Sequence, residues 1–240
     1  MNPPSPTPAN AALLKKYHLQ PAPESVARLG RLVAQSVDDN MDQIAKVVSG
    51  DPVLKARLLR AASPRKGAPL EDVEQAIFRC GVEAVLVLAM TDPLARAVDR
   101  TFDSLLGMAL DHAEEATAQP IEPPGFVTTM SFTGRASGLV LLRIGEPLAR
   151  RIASRLLALP PPDVAAADVV DAVGELGNVI VGNFQSNLCD AGLPCSLSIP
   201  KVGPIHEFRL PETRLGHHQH LDFRCEGMPL MLDIVIQSTD

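Results

Sequence analysis

Asp171, Glu175 and Asn178 stand at i, i+4 and i+7 in the stretch VAAADVVDAVGELGNVIVGNFQSNLCDA, residues 164–191. If that stretch is a helix, they form one polar stripe, with neighbours about one turn apart. A carboxylate can pair with a cation. A carboxamide can accept a hydrogen bond from water while donating to an oxygen, and it needs no shifted pKa to do so. Such a pair on a rigid element positions groups; it does not attack them. No Ser/His/Asp set, phosphate-cradling P-loop or GxGxxG element accompanies it. Any nucleophile or metal must therefore come from elsewhere.

A second cluster, His217, His218 and His220, has the look of metal ligands. In a strand, His218 and His220 share one side and could chelate. No thiol or carboxylate in the adjacent sequence clearly completes a tetrahedral set, so the expectation is an exposed hairpin. The four cysteines, Cys80, Cys189, Cys195 and Cys225, contain no CxxC pair and read as free, mostly buried thiols. Lys55, Arg57, Arg60, Arg65 and Lys66 make a modest basic patch, expected to be a solvated face.

The elements that must hold the polar stripe follow from periodicity. Val169, Val173, Leu176, Ile180, Phe184 and Leu188 recur at spacings of three and four, the apolar stripe of a packed helix. Asp163 is the expected N-cap, after Pro160, Pro161 and Pro162, and Ala191-Gly192 the expected stop. Before this helix, residues 126–134 and 136–144 read as a tight hairpin and 146–159 as an amphipathic helix with Leu148, Ile152, Leu156 and Leu157 inward. After it, strands are expected at 195–202, 205–210, 219–226 and 228–237. An antiparallel sheet covered by helices fits this order.

The first part of the chain is helical. A helix over 24–35 turns Val26, Leu29, Leu32 and Val33 to one face. Asn40 is read as the cap of a helix carrying Met41, Ile44, Val47 and Val48. Asp51-Pro52 is a start signal for a helix over 52–62, an N-cap acid before proline at the first helical position. A loop over 63–69, a helix over 71–79, a break at Gly81, an apolar helix over 82–98 and an amphipathic helix over 101–118 complete the pattern. Residues 1–20 are Pro-rich and expected to be flexible, with Leu13, Leu14 and Tyr17 docking as a short turn. The fold class is thus α+β: an all-α bundle over 21–100, then an α/β domain with a helix-covered antiparallel sheet over 101–240, the two packed together without a flexible linker.

Composition narrows the function classes. With 46% hydrophobic residues the chain can bury real cores, but 3% aromatics and no Trp leave few rings for stacking single-stranded nucleic acid. A net charge of −6 with no long run of either sign argues against a general nucleic-acid binder. No secretory leader and no apolar run of about 20 residues is visible. The expectation is a soluble cytoplasmic protein with no membrane association.

Two resemblances add to this. PAPESVARLGRLV, IAKVVSGDPVLKARLLRAAS and VEQAIFRCGVEAVLVLAM, within residues 21–98, resemble the HDOD signalling modules in part, with that family's later helices missing. That family is regulatory and implies no active site. Asp171, three residues, Glu175, two residues, Asn178, then 21 residues and Pro200 resembles the signature of the CheC/CheX/FliY phosphatases. DAVGELGNVIVGNFQSNL is similar to the CheX central helix, and GFVTTMSFTGRASGLVLLRI with PLARRIASRLL to the hairpin and helix before it. One such motif is present, as in CheX-type members. The resemblance implies hydrolysis of the aspartyl phosphate of a CheY-like response regulator. Asn178 would orient the water, Glu175 would pair with the receiver's lysine, and Asp171 and Pro200 would support them. It implies no cofactor beyond the receiver's own Mg2+, and a homodimer formed through the sheet. A non-enzymatic adaptor is the alternative; burial of Glu175 and Asn178 would favour it.

Overall fold

The computed structural model describes residues 21–35, 37–63, 70–112, 121–134, 137–190, 193–208 and 218–236. The readings made for residues 1–20, for most of the 63–69 loop, for 113–118, for the stop at Ala191-Gly192, for 209–210 and for His217, Arg65 and Lys66 lie outside these.

The helical module contains α1 (Pro23–Gln35), α2 (Val37–Gly50), α3 (Pro52–Ala62), α4 (Val73–Cys80) and α5 (Val82–Thr101). Asp51 caps α3 as its position before Pro52 predicts: its Oδ1 accepts from Val53 N at 3.0 Å and Leu54 N at 3.1 Å. Its Oδ2 accepts from Ala22 N at 2.8 Å, tying the entry of α1 to the start of α3. Burial alone would raise the Asp51 pKa, but the donors on Leu54, Ala22, Ser25 and Val53 together hold it below the ordinary value. Asn40 is no cap. It lies inside α2, buried, where its Nδ2 donates to Leu32 O at 3.3 Å and its Oδ1 accepts from Gln43. A cap-type side chain has here found its partners across a helix pair.

α5 differs most from expectation. It continues beyond residue 98 and ends in a π-helical turn, Phe102–Leu106, closed by Gly107 at φ 59°. The helix expected over 101–118 therefore stops at Leu106. Leu110–His112 is instead an edge strand, β1, paired with Phe223–Cys225. Gly107 adopts the left-handed backbone that ends a helix, and Met108 N returns to Phe102 O at 3.0 Å.

The second half holds β2 (Gly125–Gly134), β3 (Gly138–Gly145), α6 (Glu146–Leu157), α7 (Ala166–Asp190), β4 (Cys195–Leu197), β5 (Lys201–Pro204), β6 (His218–Cys225) and β7 (Met228–Ile236). Among the described residues they form one antiparallel sheet in the order β1-β6-β7-β3-β2-β4, with β5 also paired to β2. Residues 205–208 are not a strand, contrary to expectation. Leu156 is only partly buried and Leu157 is exposed, so α6 turns only Leu148 and Ile152 of the expected four fully inward. Asp163 belongs to a 3-10 turn over Pro161–Asp163, and α7 begins at Ala166, so Asp163 is not its cap.

Alternation along the strands sends Val140, Leu142 and Ile144 of β3 and Leu230, Leu232 and Ile234 of β7 into one core with α5, α6 and α7. All six residues of the apolar stripe of α7 are buried in it. Phe132 of β2 meets Phe184 of α7 edge-on at 5.8 Å between ring centroids. α5 serves both halves. Arg57 of α3 holds Asp92 of α5 through two bonds of 2.7 and 2.9 Å. On its other side, Asn183 of α7 donates to Thr101 Oγ1 at 3.1 Å and Asn187 of α7 to Pro93 O at 2.9 Å. The helical module and the sheet domain thus pack directly through α5, and Arg57 is committed to an ion pair instead of an open basic patch.

Candidate functional site

The burial of one face of α7 dictates what the other presents. Val173, Leu176 and Ile180 are drawn under the helix, so Asp171, Glu175 and Asn178 are all exposed. Their spacing places the Cβ atoms of Glu175 and Asn178 about 5 to 6 Å apart. Neither has a hydrogen-bond or ion-pair partner among the described residues. Both face an open cleft of about 610 Å³ lined also by Val170, Asp171, Gly174, Leu197, Ser198, Ile199, Pro200 and Val202. All four residues of the spaced motif therefore line one cleft.

Pro200 reaches the cleft through an irregularity of the sheet edge. β4 pairs Leu197 with Phe132, and β5 pairs Lys201 with Thr129. Three residues, Ser198, Ile199 and Pro200, thus oppose two, Met130 and Ser131. That is a β-bulge. Pro200 has no N–H to give to a ladder, which suits a bulge on an edge. Ser198 closes the gap: its N donates to Ser131 O at 2.9 Å, and its Oγ accepts from Ser131 N at 2.9 Å. The bulge turns Ile199 outward, leaving it 79% exposed beside the polar stripe. Ser198, Ile199 and Val170 were not singled out in the sequence. The available signal was a proline inside the strand-like run CSLSIPKVG.

Two glycines set how closely the stripe sits over the sheet. A Cβ on Gly177 would lie 2.7 Å from Thr128 Cγ2, and one on Gly174 3.3 Å from Val202 Cγ2. Close helix–sheet packing therefore explains both. Gly182 has open space around it and needs another account.

The histidines are placed differently from expectation. Glu226 and Gly227, at φ 50° and 79°, form a two-residue turn of the mirror-image hairpin kind. That turn fixes the register and sets His220 opposite Asp233. His218 Nε2 and His220 Nδ1 lie 2.6 and 2.7 Å from Asp233 Oδ1, and His220 Nε2 lies 2.9 Å from Asp222 Oδ1. Arg143 of β3 donates to Asp233 Oδ2. Both aspartates are buried, so the cluster is more than an exposed hairpin. Burial alone would raise the Asp233 pKa; hydrogen bonds from His218 and His220 and the Arg143 charge hold it well below the usual carboxylate range. The bond to Asp233 raises the pKa of His220 against the opposing effect of burial. Of the thiols, Cys225 is buried, Cys80 and Cys195 are half-buried and Cys189 is exposed; all are free. No described helix is long and apolar enough to cross a membrane.

Comparison with known proteins agrees with this architecture. Residues 126–220 match the family model of the chemotaxis phosphatase CheX, and residues 19–114 match that of the HDOD domain. The chain therefore carries an HDOD-type helical module followed by a CheX-type domain. A comparison with curated proteins found no match. Among solved structures, the chemotaxis protein CheX from Vibrio vulnificus superposes with a TM-score of 0.52 at 16% identity, covering 62% of this chain and 96% of that one. CheX from Desulfovibrio desulfuricans gives 0.52 at 16% identity, with 62% and 99% covered. A chemotactic CheC-like protein from Shewanella oneidensis gives 0.51 at 13% identity, with 62% and 97% covered. At these identities the likeness is one of fold.

Proposed function

We propose that the second half docks on the phosphorylated receiver domain of a CheY-like response regulator and accelerates loss of the phosphoryl group from its aspartate. The observation that carries this reading is the exposed pair Glu175 and Asn178 above an open cleft, without a partner among the described residues. The match of residues 126–220 to a chemotaxis phosphatase family supports it.

Hydrolysis of an acyl phosphate requires an oriented water and neutralised charge more than a covalent protein intermediate. The Asn178 carboxamide accepts from the water and donates to a phosphoryl oxygen, which aligns attack. Glu175, one turn earlier, pairs with the receiver's lysine and sets the register of docking. Asp171 extends the acidic face, and Pro200 shapes the bulge that walls the cleft. The receiver supplies the Mg2+, so this chain contributes no metal to the reaction. Val170 and Ile199 rim the polar pair with apolar surface, a pattern suited to a protein partner. A homodimer through the sheet is part of the same reading, and light scattering of the purified protein measures it.

The alternative is an adaptor that binds a receiver without hydrolysis. Exposure of both Glu175 and Asn178 favours the enzyme, since burial of the pair was the feature expected of an adaptor. The test is the lifetime of a phosphorylated receiver with and without the protein. An unchanged lifetime across the receivers of the host refutes the catalytic reading.

A further inference from the structure

The sheet face turned away from α5, α6 and α7 carries a polar cluster that the phosphatase reading leaves unused. His218 and His220 stand on β6, and Asp233 stands opposite His220 on β7. The ring nitrogens that meet Asp233 Oδ1, at 2.6 and 2.7 Å, and the carboxylate oxygen all lie within 4.8 Å of one another. Asp222 Oδ1, 2.9 Å from His220 Nε2, keeps the proton on that nitrogen, so Nδ1, which donates to Asp233 Oδ1, is the nitrogen that gives up its proton to bind an ion. A carboxylate behind a histidine in this manner is the usual support of a metal-bound imidazole. Arg143 engages Asp233 Oδ2 and leaves Oδ1 to the histidines, although its NH2 also lies 3.3 Å from His220 Nδ1. Asp222 and Asp233 are buried, whereas His218 lies at the solvent edge and leaves one side of the cluster open.

We propose that His218, His220 and Asp233 are the three protein ligands of a divalent transition-metal site, with zinc the ion the donor set fits best and solvent in the fourth position. Two imidazoles and one carboxylate suit a borderline ion and fit neither a soft ion nor one that demands an all-oxygen shell. Arg143 engages Asp233 alone of the two carboxylates, and Asp222 adds a second behind His220, which favours a cation over an anion here. Tetrahedral ligands at about 2.0 to 2.1 Å stand roughly 3.3 Å apart, so small ring rotations must open each N···O gap by roughly 0.7 Å and ease Arg143 aside. A bound ion would link β6 to β7 at the end of the hairpin away from its turn. This proposal is independent of the phosphatase reading.

The test uses the full chain, stripped with a chelator and titrated with Co2+ and then Zn2+. The expected result is one Co2+ per chain with the visible absorption of a tetrahedral site, displacement by Zn2+, and a higher Tm with Zn2+ present. His218→Gln, at the exposed edge, should weaken uptake at least ~10-fold and abolish the Tm gain, while its fold is checked by circular dichroism. Asp222→Asn should weaken uptake without removing a ligand. Absence of saturable Co2+ uptake by the folded wild type overturns the proposal. So does uptake unchanged by His218→Gln, or a thiolate-to-cobalt charge-transfer band that places the ion on cysteine.

Discussion

Gly177 and Thr128 meet across the helix–sheet interface directly beneath the candidate site: a Cβ on the glycine would lie 2.7 Å from the threonine methyl. Thr128 is itself buried, and its Oγ1 lies 3.4 Å from Val173 O. The height of the Glu175–Asn178 stripe above the sheet is therefore set by a contact with no slack. Gly177→Ala should destabilise the fold by about 1 to 3 kcal/mol through overpacking. Gly182, on the same helix, has open space, and Gly182→Ala should stabilise by up to about 1 kcal/mol through helix propensity. Denaturant unfolding of the two variants gives opposite signs if this contact decides; equal shifts would mean that propensity alone governs both.

The same helix shows what could be read from the sequence. Its buried stripe follows from 3.6-residue periodicity, and the polar stripe follows from the buried one. Other features depended on tertiary partners. Asn40 looks like a cap in sequence, but Leu32 O offers its side chain a buried acceptor. Residues 101–118 keep an amphipathic pattern, yet Gly107 takes a left-handed conformation and β6 offers Leu110–His112 a strand partner. The bulge at Ser198–Pro200 arises only when both ends of the edge are registered on β2. The partnership of His220 with Asp233 was within reach, because a two-residue turn at Glu226 and Gly227 dictates it; placing Glu226 inside a strand hid it.

Ile199 offers a separate handle on docking. An isoleucine 79% exposed on a bulge beside the polar pair is a natural apolar anchor for a partner. Ile199→Asp should raise the concentration of phosphorylated receiver needed for half-maximal rate by about 10-fold and leave the maximal rate nearly unchanged. A lowered maximal rate with unchanged half-saturation would assign Ile199 to the chemical step instead.

Asp51 gives a pH prediction for the helical module. Its folded pKa is depressed, so its contribution to stability is complete above the ordinary carboxylate value of about 3.9 and is lost as pH falls through the lower folded value. Asp51→Ala should cost about 1 to 2 kcal/mol near neutral pH, from the lost cap and the donors left at Ala22, Val53 and Leu54. The gap between wild type and variant should narrow as the medium is acidified below about pH 4. Unfolding curves of both proteins at several pH values measure it, and a gap independent of pH would contradict the assigned charge.

The central claim rests on Asn178 and Glu175 having separate tasks. If Asn178 positions the water, removing its amide should lower the rate at saturation by a factor of about 10² while receiver binding persists. If Glu175 sets the docking, removing its carboxylate should act chiefly on binding. The decisive measurement is the decay of a phosphorylated receiver at saturating concentrations of wild type, Asn178→Ala and Glu175→Ala. The prediction is fast decay with wild type, near-spontaneous decay with Asn178→Ala, and largely recovered decay with Glu175→Ala once its weaker binding is overcome. Wild type and Asn178→Ala acting equally fast would contradict the account.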